Sequence, residues 1–463
     1  MVTTNRPGPA PTPQPRAGAA ARPTVLVRLA DADDVYITWR WTHALAAPGA
    51  SRVPRAEAEA TLAALDAALP GTDPTRLGRA LGDGALVRYA SESALAERLA
   101  RTFLPYGLAQ ELHEWWTRGV RPLLRIQPSP LTARVPWELL APDPELRLLD
   151  IADLGLLAPA SVVHAAGRTA RSWPATRRLP VVAVLDPRVP GFRADSALGS
   201  VLGRPDARSP LARQVAGYAA AGRLRPLPGD DPAAVFRRTD VDRDWLGTTL
   251  RAGASRLLYV GHVTAAAPET GSSENAQLHL ACRAESAGFA APLRDHRPLS
   301  AKDLLLGTHG LAEPAEAGAE RWPVPSRVAL IACESGGDLR FGEALGLATA
   351  MVHGGAELVT ATRWALPTDL AFHSLAGAPP TARPLHDAVC AIDAAHERDD
   401  AVTALNAWQR ERLAAWRTER TTEHSPVLWA AFATLDTAPS TPGAVGPPEA
   451  GTEDGCGAAG AAC

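Results

Sequence analysis

Val328-Ala329-Leu330-Ile331-Ala332-Cys333-Glu334-Ser335-Gly336-Gly337 reads as a buried strand that stops on a reactive side chain. Five apolar residues in succession, without polar alternation, suit a strand covered on both faces. The glycines that follow let the backbone fold tightly. Upstream, Leu257-Leu258-Tyr259-Val260-Gly261-His262 has the same form and ends on an imidazole. Further continuous apolar runs lie at 180–185 and 358–362, and helix-length stretches come between them, at 209–221, 233–236, 244–252, 341–353 and 370–375. A last helix is expected over 399–419. This alternation predicts an α/β fold with a parallel sheet covered by helices. Ligands of such sheets bind beyond the carboxyl ends of the strands. His262 and Cys333 are therefore expected to meet in one crevice.

Working outward, the first part of the chain has a different rhythm. Val25, Val27 and Leu29 fall on one face, and Val35, Ile37 and Trp39 follow across a turn at 31–34, which predicts a hairpin. Helices are expected over 54–69, 93–103 and 108–117, and a strand over 121–128. A polar linker at 165–180 sets the first domain boundary. The organisation expected is a disordered leader over 1–23, a smaller N-terminal α/β half over 24–170, a second half over 179–437, and a disordered tail over 438–463. The stretch 264–325 is too long for an ordinary connection. It reads as a functional loop or an inserted excursion with one strand-like piece at 277–282.

Composition narrows the function. Charged residues are 21% of the chain and the formal net charge is −3, so the basic excess that marks a nucleic-acid or anionic-membrane binder is missing. No apolar run approaches the roughly 20 residues that span a bilayer. With no secretion-type h-region among the first residues, a cytoplasmic location is expected. The five cysteines, at 282, 333, 390, 456 and 463, show no tight pairing pattern and read as reduced thiols. Their spacing from histidines fits no zinc signature, and no phosphate-binding glycine motif follows a strand, so neither metal nor nucleotide cofactor is expected.

A histidine beside a cysteine can take its proton, and the thiolate is the nucleophile that acyl transfer needs. The backbone N–H groups of Gly261, Val263 and Cys333 are candidate oxyanion donors. Around this pair the sequence resembles the CHAT domains, relatives of caspases and separases. The resemblance rests on the strand-Gly-His element at 257–262, Ala332-Cys333-Glu334-Ser335-Gly336, and Gly342-Glu343-Ala344-Leu345 with the exit Gly354-Gly355-Ala356. It extends to Arg363-Trp364-Ala365-Leu366-Pro367-Thr368-Asp369, the terminal segment 426–432, and Val135-Pro136-Trp137-Glu138-Leu139-Leu140 upstream.

The resemblance implies a caspase-like αβα sandwich with a mostly parallel central sheet, preceded by a smaller pseudo-protease half. It implies a cysteine endopeptidase with His262 as general base and Cys333 as nucleophile, acting on a protein or peptide substrate. Control by a regulatory or sensor protein in bacterial signalling or defence follows from the same likeness, whereas the long interval 264–325 departs from a compact caspase core and is a place for a regulatory loop or a self-cleavage site. Asp338, Asp369 and Trp364 are candidates for a substrate pocket that selects a basic residue, against simpler roles for the two carboxylates in a turn and a helix cap. One departure stands out: Val263 occupies the position after the histidine where the family has glycine, and a β-branched residue does not readily take a positive φ. That motivates the alternative of a catalytically weak scaffold that binds protein partners.

Overall fold

The computed structural model describes residues 22–437. The leader and tail expected to be disordered, with Cys456 and Cys463, therefore lie outside the described residues, save for Arg22 and Pro23. Arg22 donates to Asp153 at 2.5 Å.

The alternating stretch forms a hairpin of β1 (Thr24–Asp31) and β2 (Val35–Trp41), to which β3 (Gly49–Val53) adds in antiparallel fashion. Val25, Val27 and Leu29 face inward with Val35, Ile37 and Trp39. Helices Arg55–Ala68, Pro74–Gly82, Tyr89–Phe103 and Tyr106–Thr117 follow. Next come β4 (Leu123–Gln127) and β5 (Asp153–Leu157), parallel to β1 and to each other.

Past the linker lie β6 (Val181–Leu185), β7 (Leu224–Arg225) and β8 (Arg256–Val260). The stretch 264–325 is folded, and its start carries a separate sheet of β9 (Val263–Thr264), β10 (Gln277–Leu278) and β11 (Leu299–Ser300). It is clamped to the body by Arg243, which donates to Asp303 and to the carbonyl of Pro298. The chain then forms β12 (Arg327–Ile331), β13 (Leu358–Thr362) and β14 (Phe432–Asp436).

One mixed, mostly parallel sheet of 11 strands results, ordered β3-β2-β1-β4-β5-β14-β13-β12-β8-β6-β7 and flanked by helices. Strands β6, β7, β8, β12 and β13 run one way. β14 is antiparallel to β13 yet parallel to β5, so it joins two oppositely directed blocks into one sheet. Every residue of β6, β8, β12 and β13 is buried, as suits largely apolar strands covered on both faces.

The two ends of the central strands differ in chemistry. Arg256 and Arg327 are register partners at the starts of β8 and β12. Arg256 pairs with the buried Asp393 and with Glu397, and Arg327 donates to the carbonyls of His396 and Asp399. Guanidinium groups thus complete the C-terminal end of helix Pro384–His396, where carbonyls lack helical partners. The opposite ends of β8 and β12 carry His262 and Cys333.

Candidate active site

β8 and β12 are adjacent and parallel, with Ile331 opposite Val260 as the last paired rung. The ladder continues one step, since the Gly261 N–H donates to the carbonyl of Ile331 at 3.3 Å. His262 and Cys333 each stand two residues beyond that rung. Residues in register on parallel strands share a face, and the strands are about 4.8 Å apart. Both side chains are half-buried.

The β8 exit is held on several sides. The Tyr259 hydroxyl lies 2.7 Å from the carbonyl of His262 and 2.8 Å from that of His279, and the His279 N–H donates to the His262 carbonyl at 3.1 Å. Gly261 has to be glycine here, because a Cβ would stand 2.7 Å from that hydroxyl. The ring Nε2 of His262 lies 3.0 Å from the carbonyl of Gly199. A carbonyl only accepts, so Nε2 carries the proton and Nδ1 keeps the lone pair. Burial lowers the affinity of this ring for a second proton, and the Gly199 carbonyl and Asp186 act the other way.

His279 belongs to a buried relay. His296 Nδ1 donates to the Cys282 carbonyl at 2.8 Å, which leaves His296 Nε2 to accept from His279 Nδ1 at 3.0 Å. His279 Nε2 then accepts from the Thr264 hydroxyl at 2.9 Å. Every tautomer in the chain is fixed, and burial drives the His279 pKa down to about 3, so both rings are neutral.

The β12 exit turns on Glu334, a non-glycine residue at φ +50°, whose N–H donates to the carbonyl of Trp364. Ser335 Oγ donates to the Leu330 carbonyl at 2.6 Å and accepts from the Thr362 N–H at 3.0 Å, locking the turn to β13. Cys333 Sγ lies 4.0 Å from the carbonyl of Leu366. Burial pushes the thiol pKa up. The Cys333 N–H meets no backbone acceptor among the described residues.

Other expectations need correction. Gly261 commits its N–H to the sheet, which removes it as an oxyanion donor. Val263 opens β9 with its backbone outside the left-handed region, opposite Leu278. Asp338, Asp369 and Trp364 are buried and turned to internal partners, so none of them faces open surface. Asp338 accepts from the Thr349 N–H at 2.9 Å, inside the first turn of helix Leu347–His353. Gly346 lies against Asp338 there, and the helix expected from 341 begins six residues later. Asp369 pairs with His386 and accepts from the Leu385 N–H, while Thr368 caps the helix instead. Trp364 donates to the Val427 carbonyl at 2.8 Å.

Residues that the sequence reading passed over surround His262: Gly199, Asp186, Arg237, Tyr259 and the pair His279–His296. Asp186 directly follows β6, so the strand-end rule that marks His262 and Cys333 would have marked it too. Gly199 acts through its carbonyl and leaves no sequence signal. The 17-residue interval between His279 and His296 carries none either.

The upstream Pro-Trp-Glu-Leu element also finds its place. Arg363 Nη2 donates to Glu138 Oε1 at 3.0 Å, with Nη1 3.0 Å from Oε2, and the pair is buried just past β13. Two quoted motifs 225 residues apart thus form one contact behind the Cys333 turn.

Among the described residues no helix is long and apolar enough to cross a membrane. A comparison with curated proteins finds no match. The family model of the CHAT domain matches residues 93–437, which runs through the linker and spans β4 to β14. That family has a caspase-like fold and is often a cysteine peptidase. The match covers most of the chain, which therefore belongs to the CHAT domain family.

Proposed function

We propose that this chain is a cysteine endopeptidase of protein substrates in which His262 is the general base and Cys333 the nucleophile. One observation carries the reading: the two side chains sit at matched positions beyond adjacent parallel strands, with Nε2 of the ring already tied to a carbonyl. The Cys333 proton passes to Nδ1, and the sulfur bonds to the scissile carbonyl carbon. The N–H of Cys333 stabilises the resulting oxyanion. Collapse breaks the C–N bond, the imidazolium returns its proton to the leaving amine, and water hydrolyses the thioester.

On this reading the neutral pair is a resting state. Burial favours the neutral thiol and the neutral imidazole alike, so the ion pair that would attack substrate is disfavoured until the two groups come together. This supports a latent enzyme that a partner or substrate switches on.

A peptide carrying a thiol-reactive acyloxymethyl ketone tests the assignment. Adduct mass should fall on Cys333, disappear in Cys333→Ala and drop steeply in His262→Ala, with folding unchanged. Modification of Cys390, also partly exposed, with Cys333 untouched even when candidate activators are added would instead favour the protein-binding scaffold.

A further inference from the structure

Arg237 donates to the carbonyl that holds His262, and Asp186 holds both Arg237 and the loop just after Gly199. Asp186, 1% exposed, leaves β6 at φ +52° and accepts from Ser200 Oγ, the Val201 N–H at 3.1 Å and the Leu202 N–H at 3.4 Å. Its Oδ1 also receives Arg237 Nη1 at 3.2 Å. The same Nη1 donates to the Gly199 carbonyl at 3.1 Å, which uses both of its hydrogens. Arg237 stands at φ +54°, its N–H bonded to the carbonyl of Leu185. The Gly199 oxygen thus has both lone pairs engaged, one by a guanidinium and one by the imidazole. Two non-glycine residues in the left-handed region at one spot mark backbone that the surrounding contacts over-determine.

We infer that Asp186 and Arg237 are positioning residues for His262: together they fix the loop around Gly199, so that its carbonyl holds the ring in one tautomer with Nδ1 free. The inference rests on the dyad reading and names what sets its base. The pair is also electrostatically balanced about the ring. Arg237 opposes protonation of His262 and Asp186 favours it. His279, from the insertion, is a further titratable neighbour of the ring and is neutral.

The test uses the full chain with ¹⁵N-labelled histidine and long-range ¹H–¹⁵N spectra, the His262 signal being identified by its loss in His262→Gln. Wild type should show neutral His262 with the proton on Nε2. Arg237→Met and Asp186→Asn should each give a mixture of tautomers, and Arg237→Lys should restore the single one. Asp186→Asn should lower the midpoint of His262 titration and Arg237→Met should raise it. Mere loosening of the loop would expose the ring and raise both. Labelling of Cys333 should slow about tenfold to a hundredfold in Arg237→Met. A wild-type proton on Nδ1, an unchanged tautomer in both variants, or a midpoint raised by Asp186→Asn overturns the inference. Should wild type show the expected tautomer while Cys333 resists every electrophile, the dyad reading fails and the positioning of the ring stands.

Discussion

The exits of β8 and β12 are neighbours in one sheet, yet they are built differently. At the β8 exit the histidine is gripped: Tyr259 and His279 hold its carbonyl, Gly199 holds its ring, and the relay through His296 braces His279. At the β12 exit the turn beneath the cysteine is locked by Ser335, Thr362 and Trp364, while the sulfur touches one carbonyl at 4.0 Å. The imidazole is held in position and in one tautomer. The thiol is lightly held, and burial pushes its pKa up. On the proposed reading, bringing sulfur and ring together needs no strand to be rebuilt, because the register of β8 and β12 is already set.

The contrast can be broken first on the cysteine side. Glu138→Ala leaves Arg363 buried without its carboxylate behind the Cys333 turn, and should cost about 3–5 kcal/mol of stability in urea titration. A loss under about 1 kcal/mol would mean that this pair does not anchor the turn. On the histidine side, Gly261→Ala forces a Cβ against the Tyr259 hydroxyl and should cost roughly 1–3 kcal/mol. Its labelling of Cys333 should fall more than its stability does, and unchanged labelling would show that the grip on the His262 backbone is dispensable.

The smallest effect sharpens the comparison through pH. The folded pKa of His279 is depressed from 6.5 to about 3. As pH falls from 6.5 toward 3, the unfolded chain binds a proton there that the native relay refuses, so stability present above pH 6.5 is progressively lost. Urea midpoints should therefore fall across that window, and less steeply in His279→Gln than in wild type. Equal slopes would remove the relay from the pH response.

Legibility in the sequence followed burial. Strands covered on both faces announce themselves as unbroken apolar runs, which is why β6, β8, β12 and β13 and the residues just past them could be read directly. β5 escaped because Asp153-Leu154-Gly155-Leu156-Leu157 is short, with a charge and a glycine inside it, although it is enclosed between β4 and β14. Helix Pro384–His396 went unread because its buried face carries His386, Asp393 and His396, polar residues that are satisfied only by partners distant in sequence. The same limit applies at the site. Residue types and strand ends mark the imidazole and the thiol, but the direction of a carboxylate depends on tertiary partners. Asp338 and Asp369 look available in sequence and are enclosed in the fold, whereas the carbonyl of Gly199 looks like nothing and sets the ring.

The most direct measurement is the structure of Cys333 covalently bound to a peptidyl electrophile. The account predicts His262 Nδ1 within hydrogen-bond reach of the sulfur or the leaving-group position, Nε2 still on the Gly199 carbonyl, and the adduct oxygen facing the Cys333 N–H. An adduct whose nearest ring nitrogen belongs to another histidine, or whose His262 ring presents Nε2 to the sulfur, would contradict it.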